Sequence, residues 1–180
     1  MKHPLVALLL LIGTALSQAE PQGFSWRDSG GKPTPDTANM KSKDGFGGQF
    51  ILTDNENIYA AWAKPETPKI DIATKLPVGK LLVPVVIFAN PEKDKNGSID
   101  VTYDLEIRKP DGSVARKIAD IVCAKGPFKA PQFNLQLSQS EVKWGADATD
   151  PLGVWTFKLM LKDNIRGTQL PLEASVEIVR

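Results

Sequence analysis

Oxygen-bearing side chains occupy every second position from Glu92 to Asp100: Glu92, Asp94, Asn96, Ser98 and Asp100, with Gly97 among them. Alternating oxygens around a glycine is how an EF-hand loop wraps calcium, with ligands at positions 1, 3, 5, 7, 9 and 12 and glycine at 6. Counted from Glu92, the oxygens and Gly97 fall into that frame up to Asp100. The twelfth residue, where a bidentate carboxylate is needed, is Tyr103. The preceding run, VVIFAN, has strand character rather than the character of an entering helix. Asn-Gly is also a favoured two-residue turn between strands. The stretch is therefore read as a hairpin turn. A weak calcium site on Glu92, Asp94, Asn96, Ser98 and Asp100 is the alternative.

Other chemistry has fewer footholds. The one histidine, His3, falls in an apolar leader, so a Ser-His-Asp arrangement cannot be assembled in the mature chain. Carboxylates such as Asp100 and Asp104 sit two apart on a strand pattern and are read as a solvated face rather than an acid–base pair. There is no G-x-S-x-G, no phosphate loop and no cysteine–histidine zinc spacing. These absences argue for a protein that is not an enzyme and needs no resident cofactor. The single cysteine, Cys123, has no internal disulfide partner; it is read as a buried thiol, with a disulfide-linked dimer as the alternative. Among the tryptophans, Trp155 and Trp62 share faces with other apolar residues and are read as core. Trp144, in the loop EVKWGADATD, and Trp26, in the N-terminal arm, are the candidate binding residues, Trp144 as a sugar-stacking platform. Without Lys2 the chain carries 21 basic and 21 acidic residues and no block of either sign, which gives nucleic acid no electrostatic footprint.

These residues need elements to hold them, and the elements read as strands. SIDVTYDLEIR places Ile99, Val101, Tyr103, Leu105 and Ile107 on one face, and VWTFKLML places Trp155, Phe157, Leu159 and Leu161 on one face. QLPLEASVEIV and QFNLQLS alternate likewise, the latter through Phe133, Leu135 and Leu137. KLLVPVVIFAN is apolar on both faces and predicts a central strand, with a bulge or break at Pro84. GQFILTD and IYAAWAK read as a strand pair around NEN. KPDGS, DPLG and DNIRG punctuate the strands as turns. Seven to nine short strands without a helical period predict an all-β, two-sheet antiparallel sandwich from residue 49 to residue 180.

The first residues have the layout of a secretory signal peptide: Lys2, the apolar run Leu5 to Ile12, and small residues at Ser17 and Ala19. The predicted organisation is a leader over 1–19, a flexible arm over 20–48 and the sandwich over 49–180, with no transmembrane segment after cleavage. PDGSV, DPLGVWTFKLMLKDN and LPLEASVEIV resemble the C-terminal halves of bacterial exported proteins with an immunoglobulin-like sandwich. The resemblance implies that fold and an exported, periplasmic location, and carries over no catalytic residue. With only Cys123 present, it does not imply antibody-type kinship. The expected function is a non-catalytic module of the bacterial envelope that binds another envelope protein. Strand addition at GQFILTD or at the final strand is one route. A carbohydrate-binding module using Trp144 and a protease-inhibitor-like sandwich are the alternatives.

Overall fold

Where apolar and polar residues alternate, the chain forms long strands that bury one face. The computed structural model describes residues 23–66, 68–131 and 133–180; the expected leader over 1–19 lies outside the described residues. The strands are β1 (Met40–Lys43), β2 (Phe46–Thr53), β3 (Lys75–Pro77), β4 (Val83–Ala89), β5 (Ser98–Arg108), β6 (Val114–Pro127), β7 (Gln136–Leu137), β8 (Gly153–Asp163) and β9 (Thr168–Val179), with one short helix, α1 (Ile58–Trp62). They make a four-stranded sheet in the order β1-β2-β4-β7 and a five-stranded sheet in the order β3-β9-β8-β5-β6. All named pairs are antiparallel except β3 with β9. The chain leaves the first sheet after β2 and runs beside the last strand as β3, closing an immunoglobulin-like sandwich. The inner faces interdigitate around Trp155, Tyr103, Phe157, Phe46, Phe50 and Phe88.

All seven residues of β4 are buried, as an apolar run on both faces requires. Leu82, Val86 and Phe88 face the main core, while Val83, Val85 and Ile87 face a second cluster on the outer side of the four-stranded sheet. That second face is covered by α1 and by the N-terminal segment. Trp26 is 8% exposed, donates its indole N–H to Lys41 O at 2.9 Å and meets Phe24 edge-on at 5.1 Å. Phe24 lies so close over Gly47 that a Cβ there would stand 2.2 Å from its ring. The expected flexible arm over 20–48 is thus corrected from residue 23 onward. It contains β1 and the start of β2, and its two aromatics offset the ordering cost that its polar composition alone would not.

Four further expectations change. IYAAWAK forms α1, not a strand. Asn55 accepts the Asn57 amide through its side chain (3.0 Å) and the Ile58 amide through its carbonyl (3.2 Å), which starts a turn that Ala60 and Ala61 favour. QFNLQLS pairs only through Gln136–Leu137, leaving Phe133 and Leu135 exposed. Pro84 causes no bulge: β2 and β4 stay in register through it. Leu82 and Val86, two residues either side, bond to Trp144 and Ser138, so the Pro84 nitrogen faces away from β2, toward the side where β7 does not reach. Finally, β4 and β5 lie in different sheets, so Glu92–Asp100 is a crossing between sheets rather than a hairpin tip.

Candidate functional site

The long strands β5, β8 and β9 turn their polar residues onto one outer face, and the ladder decides which of these meet. Register places Lys117 of β6, Glu106 of β5, Lys158 of β8 and Glu173 of β9 side by side, a row of alternating sign across four strands. Lys117 Nζ is 2.8 Å from Glu106 Oε2, and Lys158 Nζ is 3.7 Å from Glu173 Oε2. The Glu106 side chain is only 15% exposed and also takes a hydrogen bond from Arg108; Lys117, Lys158 and Glu173 stand out into solvent. The next row is Asp104, Met160 and Pro171. Lys162 Nζ bridges Asp104 (2.7 Å) and Asp120 (2.6 Å), and Asp120 occupies a bulge in β6 at φ 52° with its amide donating to Asp104 Oδ1. Lys117, Glu106, Lys158, Glu173 and Asp104, with Ala38, Lys41, Met160 and Pro171, line a shallow concavity of about 520 Å³. Ala38 borders it because its carbonyl accepts the Glu173 amide at 2.8 Å.

The electrostatics favour the charged forms of Glu106, Asp104 and Lys162. Hydrogen bonds from Lys117 and then Arg108 keep the Glu106 carboxyl below its usual range. Burial pushes the Asp104 carboxyl up, but Lys162 and the Asp120 amide outweigh it, and the net direction is down. Lys162 is raised by Asp104 and Asp120. A general acid needs a carboxyl pushed up toward neutral pH, the opposite direction. The arrangement suits recognition by charge and hydrogen bonding.

The residues singled out in the sequence go elsewhere. Trp144 is half-buried, its ring 5.0 Å from Trp155 and 5.1 Å from Phe157, and its backbone bridges Leu82, so it seals the end of the main core. Trp26 is spent on the second core. Trp62 lies partly buried beside the same cluster, on α1. The oxygens of the proposed calcium loop are not brought together. Asp94 Oδ1 accepts the Asn96 and Ser98 amides (2.8 and 2.9 Å), Asp100 pairs with Lys125 (2.7 Å) and Asn164 (3.0 Å), and Glu92 pairs with Arg166 (3.1 Å). Gly97 donates to Asp94 O at 3.0 Å, which centres the turn on Lys95–Asn96 rather than Asn96–Gly97, and Gly97 follows at φ 76°. Cys123 is fully buried between the sheets, and burial pushes its thiol up to about 12.

Both expected edges for strand addition are occupied. GQFILTD lies in β2, between β1 and β4. The final strand, β9, has β8 on one side, and on the other β3 and the Ala38 carbonyl. Among the described residues, the first half of β6 is one open edge, and it carries register shifts, Arg116 and Lys117, features that turn an incoming strand away. Sequence reasoning missed the row Lys117–Glu106–Lys158–Glu173 because register is a tertiary property. The available signal was that outward positions of neighbouring strands alternate in sign.

No family model matches the chain, and no curated protein is similar to it in sequence. Solved structures that resemble it do so at low identity. One is the CARDB domain of a Pyrococcus furiosus protein in complex with di-metal ions (10% identity, TM-score 0.39, covering 81% of this chain and 98% of that one). Another is a Niemann-Pick type C2 protein from Japanese carpenter ant (9%, 0.34, 80% and 94%). A third is a family 123 glycoside hydrolase from Clostridium perfringens (6%, 0.38), of which the chain covers 74% of its own length but only 27% of the hydrolase. Likeness at this level says nothing of what this chain binds. Among the described residues, no helix is long and apolar enough to cross a membrane.

Proposed function

We propose that the protein is an exported, non-catalytic protein-interaction module of the bacterial envelope, soluble in the periplasm, that meets its partner through the outer face of the five-stranded sheet. The observation that supports this most is the charged concavity there: it is open, its Asp104 and Glu106 carboxyls are held below their usual range by neighbouring cations, and it draws on β5, β6, β8, β9 and the N-terminal segment. The covered edges of β2 and β9 shift the expected contact from strand addition to this face. A photo-crosslinking residue at Ser175, exposed on β9 beside the row, tests the reading in envelope extracts, with the same residue at Lys95 on the sheet crossing as control. A discrete adduct from Ser175 and none from Lys95 supports the proposal; adducts equal at both positions, or none at Ser175, overturn it.

A glycan-binding reading keeps one observation in its favour, at a different place from Trp144. Trp62 and the 51%-exposed Phe133 line a groove of about 380 Å³ beside Lys64, Glu66 and Asn134, a solvent-facing ring next to polar groups. Titration of the tryptophan fluorescence with envelope oligosaccharides, in wild type and Phe133→Ala, separates the two readings.

A further inference from the structure

The row Lys117–Glu106–Lys158–Glu173 has a symmetry that the interaction reading does not require. Read from β6 it runs plus, minus, plus, minus; read from β9 it runs in the opposite sense. We infer that the outer face of the five-stranded sheet is built to pack against the same face of a second copy of this chain, about a two-fold axis lying between β5 and β8. This inference rests on the proposal that this face is the interaction surface, and it names the partner.

The argument is one of spacing and sign. A two-fold axis between β5 and β8, parallel to the strands, lays each row on itself reversed. Lys117 then meets Glu173 of the other copy, Glu106 meets Lys158, and the two remaining contacts repeat these by symmetry. Neighbouring strands are about 4.8 Å apart, and a second sheet is the structure that repeats this spacing over four strands. A helix advances about 5.4 Å per turn and drifts out of step with the row. Off the charged row, the axis brings Asp104 against the flexible Met160 side chain and Thr102 against Lys162, so no like charges oppose each other there. Such an interface is isologous, the commonest kind in homodimers. Four strands at about 4.8 Å and about nine residues at about 3.3 Å give roughly 600 Å² a side. The total of about 1,200 Å² sits at the low end for specific association. The dimer is therefore weak, reversible and sensitive to salt, since exposed charge pairs are screened.

Sedimentation velocity over a concentration series tests it on the full mature chain. Wild type is expected to show a monomer–dimer equilibrium that weakens about tenfold or more between about 50 and about 500 mM salt. Lys117→Glu alone sets like charges against each other twice in the homodimer, as does Glu173→Lys alone, and each is expected to weaken association about tenfold or more. An equimolar mixture of the two variants restores opposite signs at all four contacts and is expected to recover the dimer. Both side chains are exposed, and recovery in the mixture itself shows that both variants fold. A wild type that stays monomeric at low salt, a dimer indifferent to either variant, or a mixture that fails to recover overturns the inference. A monomeric wild type that still gives a discrete Ser175 adduct with another protein sinks the dimer and leaves the interaction surface standing. A monomer with no such adduct sinks both.

Discussion

Arg166→Ala should be among the most destabilising single substitutions outside the core. Arg166 projects from the β8–β9 turn and ties three loops together at one end of the sandwich. Its guanidinium donates to Asp44 O through Nη1 and to Asn90 O through Nη2 (3.0 Å), and Nη2 also pairs with Glu92 Oε2 (3.1 Å). Its Nε lies 3.4 Å from Asp163 Oδ2, close enough for charge attraction but without hydrogen-bond geometry. The Asp163 side chain is fully buried and accepts the Glu92 amide (2.8 Å) and the Arg166 amide (3.1 Å). Removing the guanidinium leaves a buried carboxylate with amides alone for neighbours. Breaking a buried ion pair on one side costs about 3–5 kcal/mol. The double-mutant cycle with Asp163→Asn sharpens the test. Once the charge is gone, Arg166→Ala should cost clearly less, so the cycle should show coupling of about 1 kcal/mol or more. Urea unfolding followed by tryptophan fluorescence gives all four midpoints. An Arg166→Ala midpoint within about 0.5 kcal/mol of wild type, or strict additivity in the cycle, would refute the clamp.

Three other outcomes follow from the geometry. Trp26→Ala should cost about 3 kcal/mol, as for a buried aromatic, and should speed proteolysis of the segment before β1; an unchanged midpoint would return that segment to a free arm. Asp94→Ala and Gly97→Ala should each cost about 1 kcal/mol with or without calcium, because Asp94 holds two turn amides and Gly97 sits at positive φ; a calcium-dependent rise in unfolding temperature that vanishes in Asp94→Ala would reinstate the metal reading. Asp100, Asp104 and Glu106 all have folded pKa values below their ordinary 3.8, 3.8 and 4.5, so they stabilise the fold above those values and lose that contribution as pH falls through the folded ones. The denaturant midpoint should therefore hold down to about pH 5 and decline below about pH 4, and a decline that begins near neutrality would contradict it.

Side-chain alternation made β5, β8 and β9 legible, because a wet outer face leaves every second residue polar: Asp104, Glu106, Lys158 and Glu173 marked the outside as clearly as Leu105, Phe157 and Leu172 marked the core. β4 was legible for the opposite reason, since a strand apolar on both faces must be covered twice. What covers its second face was not legible. Phe24 and Trp26 sit in a polar, glycine-rich context, and their value appears only once Gly47 leaves a gap on the outer face of β2 for the Phe24 ring to lie on. IYAAW carries a strand-like Ile-Tyr start, yet Asn55 and the two alanines favour a turn of helix, which local pattern does not arbitrate over five residues. Phe133 and Leu135 alternate like a strand but have no partner to pair with, because β4 ends at Ala89 and meets Pro84 in the other direction.

The same geometry underlies the proposed placement of recognition. A sandwich that must avoid pairing with other chains can cover its edges or blunt them. Here β1 and the N-terminal segment border β9, Gln139 and Ser140 bond to Cys123 O and Val122 O on β6, and the bulge at Asp120 disrupts the rest of that strand. With most of its edges bordered or blunted, the molecule has its large outer faces left. One of them is closed by Trp26, Ile58 and their neighbours in a second apolar core. The other carries paired, ionised side chains in register and no apolar cover. A face of that kind contributes little to stability, since exposed ion pairs are worth about 0.2–1 kcal/mol each. On the proposed reading its value lies in orientation: charges fixed at strand spacing favour a partner with the same spacing and reject one that is shifted by a single strand, where like charges would meet.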